Sequence, residues 1–398
     1  MRVGMFTDSY FPQISGVATS IKVLKDELEA QGHEVIIFTT TDPNAVEEEE
    51  NIVRLKSIPF LSFKDRRIAI KGFSKALKEA KKYHIDIVHT HTEFSLGITG
   101  KFVAYMLNIP NVHTYHTMYE KYLHYIAKGK IIRPRNVKTV SRFFCNRTMG
   151  VIVPSQLMKE KLTSYDVYKE IRVISTGVEI PEKDSALRQT IREQLQLTEN
   201  DMVLLSLSRL AFEKDLHKIV ESFPTVLQHH LNAKLVFVGD GPARESLEEL
   251  VKELDLTDYI QFVGEVKNEY VHHYYQMADI YVSASASETQ GLTYLESIVN
   301  DCPIVAKRND YLSEIVRNPL LGLLYKEDED MGITIVKMIE LLKKTNSPIK
   351  LEQKEVLLKE ISSATFGRKV ISYYKSVIEN YYFDSQIEET KSFSKHYE

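Results

Sequence analysis

Residues 283–299 read SASASETQGLTYLESIV, and the strand, loop and helix start folded into this stretch decide the architecture. Ile280 to Ser283, IYVS, is a short apolar run of the length and composition of a buried strand. The small polar residues that follow predict a loop. LTYLESIV has the apolar spacing of a helix packed on a sheet. In an open α/β sheet, ligands bind outside the carboxyl ends of the strands, where such loops lie. A helix start adds unpaired N–H groups and partial positive charge, a seat for phosphate. Glu288 and Glu296 stand eight positions apart with Gly291 between them, and a glutamate so placed can accept hydrogen bonds from sugar hydroxyls. A plainer reading competes: Ser285-x-x-Glu288 and Thr293-x-x-Glu296 both match a capping box, in which the glutamate only satisfies backbone donors.

Working outward, strands and helical patterns alternate through the whole chain. Arg2 to Phe6 is an apolar strand, followed by the loop TDSYFPQISGVATS and a helical pattern through Ala30. EVIIFTT, IDIVHTHTE, NVHTYHT, GVIVPS and RVISTGV read as further strands of a first α/β unit. MVLLSLSR, KLVFVGDGP, YIQFVGEV, IYVSAS and PIVA read as five strands of a second, beginning at Met202. Ile68 to Tyr83 is expected to be helical, with Ile70, Phe73, Leu77 and Ala80 on one face and Lys71, Lys75, Lys78 and Lys82 on another. The fold class is therefore α/β, two doubly wound Rossmann-like domains, and facing domains of this type make a deep cleft.

Composition narrows the classes. The chain has 398 residues, enough for two or three domains, with 43% hydrophobic and 27% charged residues. Two cysteines, Cys145 and Cys302, argue against a disulfide scaffold and for a reducing compartment. The N-terminus lacks a signal-peptide apolar core, and no run approaches a membrane-spanning length. A cytoplasmic location is expected. Net charge is −4 but uneven: +7 over residues 1–150 and −11 beyond. Residues 51–82 carry ten Lys and Arg against two acids, and 121–147 carry eight against none, mixed with aromatic and aliphatic residues. Such stretches suit an anionic surface. No nucleic-acid fold motif accompanies them, so no nucleic acid is expected as a partner.

Ligand-like residues gather at the strand ends. Ser208-Arg209 closes one strand and Lys214 follows, an Arg and a Lys together being able to neutralise a diphosphate. Gly239-Asp240-Gly241-Pro242 is a tight loop that permits close backbone approach to a ligand. His89 and His91 have metal-ligand spacing on a strand, but no third ligand stands near, and Asp328-x-Asp330 reads as surface. No metal site is expected; Mg²⁺ is compatible with the chemistry but no site implies it. His113 and His116 arrive at the same edge from the next strand.

Arg209-x4-Lys214, GDGP at 239–242 and Glu288-x7-Glu296, in that order on a two-domain α/β chain, resemble the retaining GT-B glycosyltransferases of family 4. YFPQISGVATS, HTEFSLG, HTYHTMYEKYLHYIAKG and SASASETQGLTYLES are similar to the bacterial diacylglycerol glucosyltransferases within it. The resemblance covers about residues 1–380. It implies UDP-glucose as donor, diacylglycerol as acceptor and no cofactor beyond the donor. By residue it implies Arg209 and Lys214 at the diphosphate, Glu296 at the ribose, and Glu288 with Gly291, Leu292 and Thr293 at the hexose. His116 would stand beside the reacting carbon, Gly16 would admit the phosphates, Gly241 would belong to the UDP-sugar site, and the loop near Val266 would meet the uracil. Many family members have Gly-Gly where this chain has Ser15-Gly16. The expected division is an acceptor and membrane-facing domain (1–180), a linker (181–200), a nucleotide-sugar domain (201–365), and a C-terminal helix returning to the first domain with a polar tail (366–398). Lys71, Lys75, Lys78, Lys82 and residues 121–147 would meet an anionic membrane, giving a peripheral enzyme on the inner face of the cell membrane.

Galactose instead of glucose, or a second sugar on a monoglycosyldiacylglycerol, is compatible with the same motifs. A GT-B enzyme with a sugar acceptor, a nucleotide-sugar epimerase and a non-catalytic binder are the other readings. The last leaves Arg209, Lys214, Glu288 and Glu296 unexplained.

Overall fold

The computed structural model describes all residues except 14, 47–49, 61–62, 121–133, 184, 286–287, 289, 345–350 and 395–398. In chain order, β1 (Arg2–Phe6), α1 (Gly16–Ala30), β2 (Glu34–Thr40), β3 (Ile52–Leu55), β4 (Ser57–Phe60), β5 (Phe63–Ala69), α2 (Phe73–Lys82) and β6 (Ile87–Thr90) come first. Then follow α3 (Ser95–Leu107), β7 (Asn111–Thr114), α4 (Pro134–Cys145), β8 (Gly150–Val153), α5 (Gln156–Ser164), β9 (Ile171–Val173), α6 (Ser185–Gln194) and β10 (Met202–Leu207). Next are α7 (Leu216–His229), β11 (Ala233–Val238), α8 (Arg244–Glu253), β12 (Ile260–Gly264), α9 (Val271–Met277), β13 (Ile280–Ser283) and α10 (Leu292–Val299). The last are β14 (Ile304–Lys307), α11 (Asp310–Ile315), β15 (Gly322–Tyr325), α12 (Met331–Lys344), α13 (Leu351–Ile361) and α14 (Ser363–Ser394).

The chain forms two compact units, Met1–Gly177 with Ser363–Glu398, and Val178–Ser362. Each is built on a parallel sheet. Among the described residues the first has order β3-β2-β1-β6-β7-β8-β9 and the second β12-β11-β10-β13-β14-β15. Strand order reverses beside β1 in the first sheet and beside β10 in the second. Parallel strands are covered on both faces, so they appear as continuous apolar runs. MVLLSL of β10 has four consecutive buried residues, and β13 is buried throughout. In the first unit Phe6 and Phe38, register partners on β1 and β2, stack at 4.3 Å. Within that unit α14 packs on α1, burying Phe366, Val370, Tyr373 and Tyr374 in the cluster formed by Ile21, Leu24 and Leu28.

Two readings are corrected here. The expected helix from Ile68 begins only at Phe73: Ile68 and Ala69 belong to β5, which pairs antiparallel with β4. Gly72, with φ 125°, marks the break, and a Cβ there would meet Leu55 Cδ2 at 2.9 Å. The second sheet has a sixth described strand, β15, beyond the five expected. Residues 121–133 of the second basic stretch lie outside the described residues.

Candidate active site

In the second unit, the two loops that flank the strand-order reversal carry the expected residues. β10 ends at Leu207 and leads through Ser208 and Arg209 into a short 3₁₀ turn, Phe212–Lys214. β13, its neighbour, leads to Glu288 and Gly291. Crevices at such reversals are where open α/β sheets bind ligands, because the two loops diverge to opposite faces of the sheet. Lys214 Nζ and the Glu288 carboxylate, 74 residues apart, form an ion pair across these two loops, each side chain about one-fifth exposed. Arg209 donates from Nη2 to Glu213 Oε1 at 2.7 Å, with its own side chain 43% exposed. Both cations are therefore held by carboxylates at the mouth of the reversal.

The glycine loop also packs closely within its own unit. Gly239 and Gly241 make close approaches to the protein's own backbone. A Cβ at Gly239 would lie 2.0 Å from the Ser208 carbonyl oxygen, and one at Gly241 2.5 Å from that of Leu210. Leu210 N–H donates to Asp240 O at 3.0 Å, Ala243 N–H to Leu210 O at 2.9 Å, and Gly239 N–H to Gly264 O at 2.8 Å. The loop thus stitches the Arg209 segment to the end of β12, two residues before the partly buried Val266.

Gly291 is the N-cap of α10 at φ 74°, and a Cβ there would strike Tyr294 Cδ2 at 2.4 Å, so only glycine fits. The helix starts at Leu292, which puts Thr293 inside its first turn and removes the Thr293–Glu296 capping box. Thr293 instead shares a hydrogen bond with Tyr281. Glu296 lies one turn on, its Oε2 accepting from Tyr275 Oη at 2.9 Å. Burial raises the Glu296 carboxyl above its ordinary range, and the Tyr275 hydrogen bond offsets part of that rise. Tyr275, Tyr281 and Tyr294, the last from α10 itself, are fully or almost fully buried.

In the first unit the loops after β1, β6 and β7 enclose a polar cluster. Asp8 accepts from Thr92 Oγ1 at 2.6 Å, from Ser95 Oγ, and from Leu96 N–H, capping α3 from outside the helix. Burial still lifts its carboxyl above the usual value. His91 Nδ1 and His116 Nε2 share a hydrogen bond at 3.0 Å, and His91 Nε2 is buried with no partner among the described residues. An orphaned buried donor is rarer than an orphaned acceptor. The arrangement therefore favours the tautomer with His91 Nδ1–H donating to His116 Nε2. His89 is bonded to Tyr374 Oη at 2.5 Å and to Thr114 Oγ1 at 2.7 Å. Glu93 accepts from Tyr119 Oη and is 3.2 Å from His113 Nε2. Burial, reinforced by the neighbouring histidines, holds His89 and His91 well below the ordinary histidine range and pushes His116 down to about 3. All three are neutral at neutral pH. The His89-x-His91 pair is thus engaged in side-chain hydrogen bonds, and among the described residues no three metal-ligating side chains converge. Gly16 is the first residue of α1, behind the Ser15 cap that accepts from Ala18 N–H at 3.2 Å, and a Cβ on it would meet open space.

Residues 14–181 match the model of Glycosyltransferase Family 4, and residues 188–355 that of Glycosyl transferases group 1. The chain is 44% identical over 384 residues to an alpha-monoglucosyldiacylglycerol synthase of Streptococcus pneumoniae, covering 95% of this chain and 86% of that one. This chain is a family 4 glycosyltransferase. Glycosyltransferases of this kind with the same synthase name occur elsewhere: that of Acholeplasma laidlawii is 31% identical over 83% of this chain and 86% of its own. The fold of this glycosyltransferase is GT-B. HepE of Anabaena, solved in complex with UDP, superposes with a TM-score of 0.74 at 16% identity, over 94% of this chain and all of the other.

Of the residues singled out from sequence, Arg209, Lys214, Gly241, Val266, Glu288, Gly291, Leu292, Thr293 and Glu296 belong to the second unit of the glycosyltransferase, and Gly16 and His116 to the first. Two side chains in contact with these, Glu213 and Tyr275, were not singled out for a role, and neither was Asp8, which caps α3 in the first unit. Glu213 is a local partner four residues from Arg209, whereas Tyr275 is reached only through tertiary packing. Asp8 was visible, two residues past a strand end and ahead of a glycine.

Proposed function

We propose that this glycosyltransferase moves glucose from UDP-glucose, with retention at the anomeric carbon, to the free hydroxyl of 1,2-diacylglycerol. The observation that carries the donor half is the Lys214–Glu288 pair over the strand-order reversal. It sets a cation suited to a diphosphate beside a carboxylate suited to hexose hydroxyls. The sugar and the acceptor are inferred from the two relatives named for making alpha-monoglucosyldiacylglycerol.

In the reaction the bond between the sugar C1 and the β-phosphate oxygen breaks, and one between C1 and the glycerol oxygen forms. The glycerol proton passes to the departing phosphate oxygen, and UDP leaves. Negative charge grows on the diphosphate as this happens. Lys214, Arg209 and the N–H groups of the first turn of α10 answer that charge, and one such stabiliser is worth roughly 3 kcal/mol in a water-poor site. The α10 contribution fits its glycine cap, which brings no side chain of its own to those donors. Glu296, oriented by Tyr275, accepts from the ribose hydroxyls. Gly16 and Gly241 border the phosphates and Val266 the uracil. His116 is neutral, so beside the hexose it acts as a hydrogen-bond partner and not as an acid. Glu288 and Glu296 are not the carboxylate pair of a glycosidase; both are committed to binding. Mg²⁺ has no assigned role.

A diacylglycerol acceptor stays in the bilayer, so the enzyme must come to its surface. Among the described residues no helix is long and apolar enough to cross a membrane. Attachment through α2 and the residues that lead into it is proposed, where Lys71, Lys75, Lys78 and Lys82 are exposed. Each Lys near an anionic surface contributes about 1 kcal/mol. The test of the whole reading is an assay of labelled UDP-glucose and UDP-galactose against diacylglycerol and monoglycosyldiacylglycerol, resolved by lipid chromatography. Label in one new lipid, from UDP-glucose and diacylglycerol, is the expected result. Label only from UDP-galactose, or only with the glycosylated acceptor, would overturn it.

A further inference from the structure

The helix α3 presents a face that the donor chemistry leaves unused. Ile98, Phe102, Tyr105 and Met106, with Phe94 just before the helix, follow the spacing of one helical stripe. All five are exposed: Tyr105 by 79%, Ile98 by 61%, and the others by about half. Aromatic and aliphatic side chains this open together form a patch on the order of 500 Å², at the upper end of what monomeric proteins leave bare.

The polar side chains of α3 are turned away from the stripe into bonds of the protein's own. Lys101 Nζ donates to the Phe144 carbonyl at 2.7 Å and lies 4.1 Å from that ring. Thr99 Oγ1 donates to the Ser95 carbonyl at 2.7 Å, and Ser95 Oγ to Asp8. No charge interrupts the stripe. On the inner side, Leu96, Gly97, Gly100, Val103 and Ala104 are buried against the sheet. Gly97 and Gly100 fit so closely that a Cβ would meet the Thr92 carbonyl oxygen at 1.7 Å or the Phe6 ring at 2.7 Å. The helix is thus fixed on the sheet and its apolar stripe cannot rotate inward.

The stripe runs into the basic helix. Phe102 meets Phe73 of α2 edge-on, centroids 4.3 Å apart, and α2 with the turn before it exposes Lys71, Lys75, Lys78, Lys81 and Lys82. An apolar strip beside a row of lysines is the pattern of a surface that lies in the headgroup boundary of an anionic bilayer. We propose that Phe94, Ile98, Phe102, Tyr105 and Met106 seat in the acyl boundary of an anionic membrane while the lysines of α2 hold the headgroups. The inference rests on the lipid-acceptor reading above and adds to it the apolar contact. The lysines supply salt-sensitive attraction, and the stripe supplies the binding that survives salt.

The chain contains no tryptophan, so Tyr105→Trp introduces a single indole at the centre of the stripe. The full chain is mixed with vesicles of phosphatidylglycerol and phosphatidylcholine, without diacylglycerol or UDP-glucose. The indole emission is expected to shift to the blue, and phosphatidylcholine brominated in its acyl chains to quench it. Leu231→Trp, at an exposed position of the other unit, is expected to show neither. A second variant, Ile98→Ser/Phe102→Ser/Met106→Ser, should lose about tenfold in partitioning for each side chain that inserts fully, most visibly at high salt. Sedimentation with vesicles while the indole of the Tyr105→Trp variant stays unshifted and unquenched would overturn the proposal, as would equal shifts at both reporters or no sedimentation at all. A blue shift without vesicles that tracks dimer formation in the ultracentrifuge would assign the stripe to a second copy of the chain and also overturn it. Transfer to a short-chain diacylglycerol in detergent solution, measured on the same variants, reports on the glucosyltransferase reading separately.

Discussion

Replacing Glu288 by glutamine should move UDP affinity and sugar transfer in opposite directions. Lys214 has two claimants, the Glu288 carboxylate it holds in this structure and the diphosphate proposed for the donor. Two unit charges 4 Å apart attract by about 4 kcal/mol at an effective dielectric of about 20. The pair is about one-fifth exposed on each side, so its net worth falls between a surface pair and a buried one, at about 1–2 kcal/mol. Glutamine keeps the shape and removes the charge. Lys214 then no longer has to leave a carboxylate to meet UDP, and UDP itself no longer approaches one. UDP should bind about fivefold more tightly, a gain of about 1 kcal/mol. Transfer should fall, because the hexose loses a charged acceptor for its hydroxyls. Lys214→Ala reverses the first effect: it removes a cation, leaves Glu288 facing the phosphates, and should lower turnover ~10²-fold or more. Calorimetric titration with UDP and a transfer assay on the same preparations give both numbers. Unchanged or weaker UDP binding in Glu288→Gln would show that Lys214 does not exchange between the two partners, and the reasoning would fail.

Other outcomes follow from individual contacts. Tyr275→Phe removes the donor from Glu296 and should cost roughly 1.5–3 kcal/mol of stability or UDP affinity, as loss of a hydrogen bond to a charged group does; melting curves and titration separate the two. Because the Glu296 carboxyl is raised, its contribution to folding is present below the unfolded carboxylate value and is lost as pH rises through the folded one. UDP affinity, which needs the ionised form, should conversely decline on acidification from above the usual carboxylate range. The buried histidines carry the opposite sign. His89, His91 and His116 are depressed below 6.5, so the stability they contribute is present above that value and lost as pH falls. The melting temperature should drop steeply from pH 7 to pH 5, and His91→Asn, which keeps a donor near the Nδ1 position, should soften the drop; a flat profile would contradict the buried neutral cluster. Lys71→Glu/Lys75→Glu/Lys78→Glu/Lys82→Glu should lower partitioning to anionic vesicles ~10²–10³-fold, with little change on zwitterionic ones, as read by sedimentation.

The most plainly legible strands are the ones buried on both faces. GMF of β1, VIIF of β2 and VLL of β10 are apolar without interruption because helices cover both sides of a parallel sheet. Two of the edge strands, β3 and β15, were not legible. β3 alternates half-buried and buried, and its Arg54 looks like surface charge, yet its guanidinium donates to the carbonyls of Thr40 at 3.0 Å and Phe11 at 2.7 Å. β15 is four residues long and starts at Gly322, where a Cβ would meet the Ile304 carbonyl oxygen at 2.3 Å. Nothing local marks that glycine as the start of a strand.

At the site, spacing alone brought Arg209, Lys214, Glu288 and Glu296 into view. It could not choose between a capping glutamate and a ligand-facing one, since that choice hangs on whether the helix begins at Leu292 or after Thr293, within the uncertainty of any helix boundary. The partners Glu213 and Tyr275 were hidden for a different reason. Glu213 sits four residues from Arg209 among other charges, and Tyr275 meets Glu296 only once α9 and α10 pack together. The glycines of GDGP were visible, but their close contact with other loops of the same domain was not.

The most direct measurement is the nuclear magnetic resonance spectrum of the lipid made from UDP-glucose and 1,2-diacylglycerol by the purified enzyme. The account predicts one glucose on the free glycerol hydroxyl, with the small anomeric coupling of an α linkage. A β-linked product, a glucose on another sugar, or free glucose with no lipid product would contradict it.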